Sequence, residues 1–249
     1  MTKKIWISGA SSGIGRALAI KFSNEGWQVA ASARRENLLN DLNKNNPNIH
    51  AFVLDVKDEK SVRNVFQNIL QKFETLDICV FATGIHDPEA EKKLSSEKIR
   101  EIMETNFFGT LNCIMAVNSF FREKKDGHIA IVSSVAGYRG LPAASGYCAS
   151  KAALTSLAES LYFDFKRKNV KVSLISPGFI KTPMTEKNTF PMPMIKSPEY
   201  AAEKIFIGLT KRNSFEIHFP KSFTILLKLL KIMPNWLFFW LVERGVKRF

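Results

Sequence analysis

Short runs of apolar and β-branched residues alternate along the chain with longer segments whose apolar positions recur every three or four residues. Ile5–Ser8, Trp27–Ala33, Ile49–Leu54, Ile78–Ala82, His128–Ser133 and Val170–Ser176 read as strands, and Phe215–Phe219 as one more. Between them the pattern predicts helices over Gly13–Glu25, Glu36–Asn45, Glu59–Phe73, Glu97–Arg122 and Gly146–Lys168. Such βαβα alternation predicts an α/β fold, a parallel β-sheet flanked by helices on both faces. The stretch Ile78-Cys79-Val80-Phe81-Ala82 is apolar throughout, as a strand buried on both sides requires.

The last part of the chain departs from this alternation. Pro183–Lys196 is rich in Pro, Met and Phe and reads as an apolar mobile loop. Ser197-Pro198-Glu199 then supplies a helix start, with a capping serine, a proline in the first turn and an early acid. The segment FTILLKLLKIMPNWLFFWLVERGVKRF is strongly apolar, but Lys228, Lys231 and Pro234 interrupt it. It falls short of the ~20 consecutive apolar residues that a membrane-spanning helix needs. From Lys211 onward there are eight Lys or Arg and two Glu. Two readings stay open: these turns pack on the core or on a subunit partner, or they lie in the interface of an anionic membrane.

The net charge of +13 suits an anionic ligand or an acidic surface. The basic residues are spread along the chain without a zinc-finger, RNP or Lys/Arg-block signature, so no nucleic-acid partner is expected. Cys79, Cys113 and Cys148 show no CxxC spacing and cannot all pair, which predicts a reducing compartment. The four histidines lack metal-ligand spacing, so no metal site is expected. A strand pattern begins at Lys3 with no leader-like run before it, and the expected location is cytoplasmic, with peripheral contact at the inner face of a membrane if the tail binds there.

Two motifs carry chemistry. Ser8-Gly9-Ala10-Ser11-Ser12-Gly13-Ile14-Gly15 follows the first strand and opens a helix. There glycines permit a tight turn and close backbone approach to a pyrophosphate, and the helix N-terminus offers free N–H groups to it. This is the layout of a doubly wound Rossmann-type fold, in which ligands gather at the carboxyl ends of the strands. At the end of the second strand, Ala31-Ser32-Ala33-Arg34-Arg35 has no carboxylate to meet a ribose 2′-hydroxyl. Arg34, with Arg35 or Ser32 helping, can instead pair with a 2′-phosphate, which predicts NADP(H). The second motif is GYCASK, where Tyr147 and Lys151 are four residues apart and so share one helix face. A nearby ammonium is expected to lower the tyrosine pKa, as an acid/base catalyst acting on an alcohol or ketone requires.

Together these motifs resemble the short-chain dehydrogenase/reductase family, of the type with about 250 residues, from roughly Lys3 to Thr182. Ser8-Gly9-x-x-x-Gly13-x-Gly15 is similar to the family's Thr-Gly-x-x-x-Gly-x-Gly, and Asp55-Val56 to the pair that contacts adenine. Asn106 falls where the family keeps a catalytic asparagine, and Ser134 lies thirteen residues before Tyr147, the family's interval, which favours it over Ser133. Pro177-Gly178, Ile180 and Thr182 resemble the segment that binds the nicotinamide and ribose. One departure is plain: the family's Asn-Asn-Ala-Gly is here Phe81-Ala82-Thr83-Gly84, and only Gly84 survives in place.

The resemblance implies that Tyr147 is the general acid/base, that Lys151 lowers its pKa and holds the ribose, that Ser134 stabilises the carbonyl oxygen and that Asn106 relays through a water. It implies a cofactor site of Gly9, Ser11, Ser12, Gly13, Ile14, Gly15, Arg34, Asp55, Val56, Gly84, Tyr147, Lys151, Pro177, Gly178, Ile180 and Thr182. Residues 1–220 then form one NADP-binding catalytic domain and 221–249 an apolar, basic extension. Leu141, Pro142, Phe179, Met184, Phe190, Met192 and Met194 suggest an apolar pocket for a hydrophobic or lipid-derived ketone. The alternative is an NADP(H)-binding redox sensor, at a membrane or partner surface, that does not turn over. A homodimer or homotetramer through the two long helices is also implied.

Overall fold

The structure, a computed structural model, describes residues 2–247, with side chains up to residue 244. In chain order the elements are β1 Lys4–Ser8, α1 Gly13–Asn24, β2 Gln28–Ala33, α2 Glu36–Lys44, β3 Ile49–Val53, α3 Glu59–Phe73 and β4 Ile78–Phe81. Next come α4 Pro88–Glu91, α5 Ser96–Met103, α6 Gly109–Lys124, β5 His128–Val132, α7 Ser145–Lys166 and β6 Lys171–Pro177. The chain continues with α8 Pro198–Ile207, β7 Glu216–Phe219, α9 Lys221–Ile232 and α10 Asn235–Lys247. The end of the extension, residues 248–249, lies outside the described residues.

The seven strands form one parallel sheet in the order β3-β2-β1-β4-β5-β6-β7. Apolar side chains cover both of its faces, as the continuous strand runs require. α3 shows how sequence sets the packing. Asp58 caps its first turn by accepting from Lys60 N and Ser61 N, and Val62, Val65, Phe66, Ile69 and Phe73 bury one face at helical spacing. Each such side chain contributes about 1.5–3 kcal/mol by leaving water. Trp6, fully buried in β1, stacks on Phe66 and meets Phe81 edge-on, and its indole N–H donates to Ser32 Oγ. That bond commits the Ser32 hydroxyl to the core, so Ser32 is not the helper for Arg34 that the sequence suggested.

Two expectations about helices change. The single helix over Glu97–Arg122 is instead α5, a π-helical turn at Glu104–Phe108, and α6. The wider turn carries Asn106 into the interior with no exposed surface. α6 then packs so close to the loop after β3 that a Cβ on Gly109 would lie 2.4 Å from Val56 Cγ2. The short α4 is an addition to the predicted elements, although Asp87-Pro88-Glu89 repeats the signal of Ser197-Pro198-Glu199; Asp87 accepts from Ala90 N as Ser197 does from Tyr200 N.

Candidate active site

Strand order reverses between β1 and β4, so the loops leaving those strands diverge and open a cleft at their carboxyl ends. The cleft has a volume of about 680 Å³. Every residue assigned to the cofactor from the sequence lines it, as do Ser134, Tyr147 and Lys151.

The glycine turn closes one side. Gly9 has φ +74°, and a Cβ there would lie 2.8 Å from the backbone of Ala82 and Thr83, so only glycine lets the turn approach the end of β4. Thr83 Oγ1 bonds Ser8 Oγ at 3.1 Å across the same gap, a contact made by the departing Phe81-Ala82-Thr83-Gly84 segment. No side chain caps α1 and no acid sits in its first turn, which leaves the helix N-terminus open to an anion. At the far end, Arg34 is exposed on the cleft wall. Arg35 folds back over the turn, donating to Ser11 Oγ at 2.8 Å and Ser12 Oγ at 2.6 Å. The sequence ranked Arg34 first; in the structure Arg35 is the guanidinium that touches the glycine turn.

At the other end, Ser133 and Ser134 leave β5 in opposite roles. Ser133 Oγ donates to the Lys151 carbonyl and bonds Thr155, holding α7 to the sheet. Ser134 accepts from Ala136 N, and its hydroxyl lies close enough to Tyr147 to favour the phenolate. Lys151 is buried, its ammonium donating to the Val132 carbonyl at 2.9 Å and lying 5.7 Å from the Tyr147 ring centre. Asn106 sits beneath the cleft. Its amide donates to the Ile85 carbonyl and to Ser150 Oγ, and its oxygen accepts from Ile85 N at 2.7 Å. Gly84 lies next to both: a Cβ there would be 3.5 Å from Asn106 Oδ1 and from Lys151 Nζ, ordinary contact distances.

The electrostatics differ from the sequence expectation. Burial pushes the Tyr147 phenol up to about 12, and the Ser134 hydroxyl pulls it down by less. Burial also pushes the Lys151 ammonium down to about 8. The net shift is upward, against the lowering the sequence predicts, because desolvation outweighs the Ser134 hydrogen bond and the ammonium of Lys151 is turned onto the Val132 carbonyl. At neutral pH the arrangement holds a protonated phenol beside a cationic lysine, which suits proton donation.

Sequence reading missed a further pair. The His86 ring lies on Tyr147, with centroids 4.4 Å apart, and its Nδ1 bonds Glu91 Oε1 at 2.8 Å. The Glu91 side chain is fully buried, and its second oxygen accepts from Gly146 N at 2.7 Å and Tyr147 N at 3.2 Å. One carboxylate therefore caps α7 and fixes the imidazole that packs on the phenol. Burial lowers the His86 pKa against the pull of Glu91, so the ring is neutral at pH 7 and carries its proton on Nδ1. The α4 capping signal was the only trace of this pair in the sequence.

The family model for short chain dehydrogenase matches residues 3–193. An uncharacterized oxidoreductase of Myxococcus xanthus is 34% identical over 236 residues, covering 93% of each chain. The 3-oxoacyl-acyl-carrier-protein reductase FabG of Thermotoga maritima is 29% identical over 223 residues, covering 84% of this chain and 91% of its own. Among solved structures, ElxO with NADP bound superposes with a TM-score of 0.77 at 25% identity, over 88% of this chain and 98% of its own. By fold, by cleft and by these matches, the chain belongs to the short-chain dehydrogenase family of oxidoreductases.

Proposed function

We propose that this protein is an NADP(H)-dependent oxidoreductase that interconverts a carbonyl and an alcohol, working as a reductase of a hydrophobic or lipid-derived ketone. The observation that carries this reading is the sharing of one cleft by Ser134, Tyr147, Lys151 and the glycine turn. The residues present fit a dinucleotide. The uncapped start of α1 suits a pyrophosphate, and Gly9 and Gly15 remove side chains where backbones come close. Arg34 and Arg35, with no carboxylate at the end of β2, support a 2′-phosphate and hence NADP(H). The NADP bound to ElxO, whose fold this chain shares, supports the same choice.

A bound nicotinamide supplies or accepts the hydride. Tyr147, protonated at neutral pH, donates its proton to the substrate carbonyl oxygen, and Ser134 hydrogen-bonds that oxygen as charge builds on it. Lys151 offers its ammonium to the ribose hydroxyls and to the phenolate left behind. Asn106 holds Ile85 and Ser150 at the base of the site, and its main-chain carbonyl accepts from Thr110 Oγ1; its place beside Gly84 and Lys151 supports the water relay assigned to it.

An apolar substrate is supported by Phe179, which packs on Phe190 and Phe223, and by Met184 in the cleft wall. The acyl substrate in the name of the Thermotoga maritima enzyme points the same way. A homodimer or homotetramer through α6 and α7 belongs to this reading.

The test is NADPH oxidation against ketones, aldehydes and β-ketoacyl thioesters, with Tyr147→Phe alongside and NADH as control. Turnover that favours NADPH and disappears in Tyr147→Phe is expected. Tight NADPH binding without turnover on any carbonyl would replace the reductase with the redox sensor.

A further inference from the structure

Helices α9 and α10 follow one another through Met233-Pro234, and each has both buried and exposed apolar side chains. Inward, Phe223, Thr224 and Phe238 are buried, and Phe223 packs with Val135, Tyr138 and Phe179 at the substrate end of the cleft. Arg139 ties both helices to that wall. Its guanidinium donates to the carbonyls of Leu230 and Met233 at the end of α9 and to Asn235 Oδ1 at the start of α10, and stacks 4.1 Å over Phe238. Outward, Ile225, Leu226, Leu229 and Ile232 recur at helical spacing and are 49–78% exposed. Trp236, Phe239 and Trp240 make a second stripe on α10, 46–72% exposed. Singly exposed apolar residues need no explanation, but two stripes of them on adjacent helices do.

We propose that this outer face seats the protein on an anionic phospholipid bilayer, with the mouth of the cleft next to the lipid. Charge selects the occupant. From Lys211 the chain carries eight Lys or Arg against two Glu. Lys221 and Lys231 are exposed beside the apolar stripe, and the Arg244 guanidinium lies 4.0 Å over the Trp240 ring. Long cations whose stems run along an apolar face, with tryptophans at the same level, suit the headgroup boundary. A second copy suits the face less, because a two-fold interface sets the same patch against itself and brings its positive charges together. No described helix is long and apolar enough to cross a membrane, so the contact is peripheral. The placement of the mouth rests on the lipid-derived substrate proposed above; the binding itself does not.

The full chain is tested by flotation with vesicles of phosphatidylcholine alone and of phosphatidylcholine mixed with phosphatidylglycerol, at low and high salt. Tryptophan emission gives a second readout. Trp6 and Trp27 are buried while Trp236 and Trp240 are exposed, so a blue shift on adding vesicles reports α10. The protein should float with the mixed vesicles only, more weakly at high salt, and with a blue shift. The combined substitution Leu229→Gln, Trp236→Gln, Phe239→Gln should lower partitioning by at least about tenfold. Its NADPH oxidation with a small water-soluble ketone should be unchanged. Equal flotation of both proteins, flotation of neither, or a wild-type dimer that the substitutions dissociate would each overturn the proposal. Because flotation needs no turnover, failure of the reductase reading leaves this result standing, and turnover without flotation overturns only the membrane contact.

Discussion

Glu91→Ala separates a carboxylate that merely caps a helix from one that also holds the site. The side chain is fully buried and its oxygens accept three hydrogen bonds, from Gly146 N, Tyr147 N and His86 Nδ1. Hydrogen bonds to a charged group contribute about 1.5–3 kcal/mol each. They share one carboxylate and do not add fully, so the expected loss is about 3–4 kcal/mol. For a chain of this length the unfolding entropy is about 0.5 kcal/mol per degree, and the melting temperature should fall by about 6–8 °C. Freeing His86 also removes one wall of the Tyr147 ring, and misplacement of a proton donor by an ångström costs about a hundredfold. We therefore expect kcat to fall by about tenfold to a hundredfold, with the KM for NADPH little changed, since the glycine turn lies across the cleft. Glu91→Gln keeps an acceptor for the helix N–H groups, and its amide N–H can donate to His86 Nδ1 once the neutral imidazole moves its proton to Nε2, so it should recover most of both losses. The assays are thermal denaturation followed by circular dichroism and steady-state NADPH oxidation. A lower melting temperature with unchanged kcat would reduce Glu91 to a helix cap, and wild-type values for both would refute the reasoning outright.

Three further outcomes are expected. Arg34→Ala and Arg35→Ala should each raise the KM for NADPH by about tenfold and leave that for NADH unchanged; equal losses with both cofactors would remove the 2′-phosphate from their role. Burial pushes His128 down to about 4, and its ring bonds Ser173, which donates onward to the Ser214 carbonyl. The unfolded chain thus binds the extra proton first, so this contribution is whole above about pH 6.5 and about 3 kcal/mol is lost as pH falls toward 4. Urea denaturation across that range should show the slope, and His128→Asn should flatten it. Gly9→Ala places a methyl group 2.8 Å from the backbone after β4 at a positive φ, and should cost about 2–4 kcal/mol in a thermal melt; a wild-type melt would mean that the gap between β1 and β4 relaxes.

What the sequence determined by itself is local. Apolar runs and turn residues specify strands and helix starts through contacts a few residues apart, so all seven strands, the glycine turn and the Tyr147–Lys151 spacing were legible. Family spacing chose Ser134 over Ser133, and the structure puts their hydroxyls to different uses. Tertiary structure decided what depends on partners distant in the chain. Glu91 reaches Gly146 across 55 residues, and no periodicity encodes that pairing. Arg35 rather than Arg34 folds onto Ser11 and Ser12, and Ser32 is spent on Trp6, because long or small polar side chains go where the packed core leaves a partner. Lys151 lies on the Val132 carbonyl and Tyr147 is raised rather than lowered, since desolvation is set by everything packed around a group and not by its neighbour on the helix. The outward stripes of the two C-terminal helices follow the same logic. Its composition announces an apolar surface, but only the docking of the inner face on the cleft wall decides which residues are left outside.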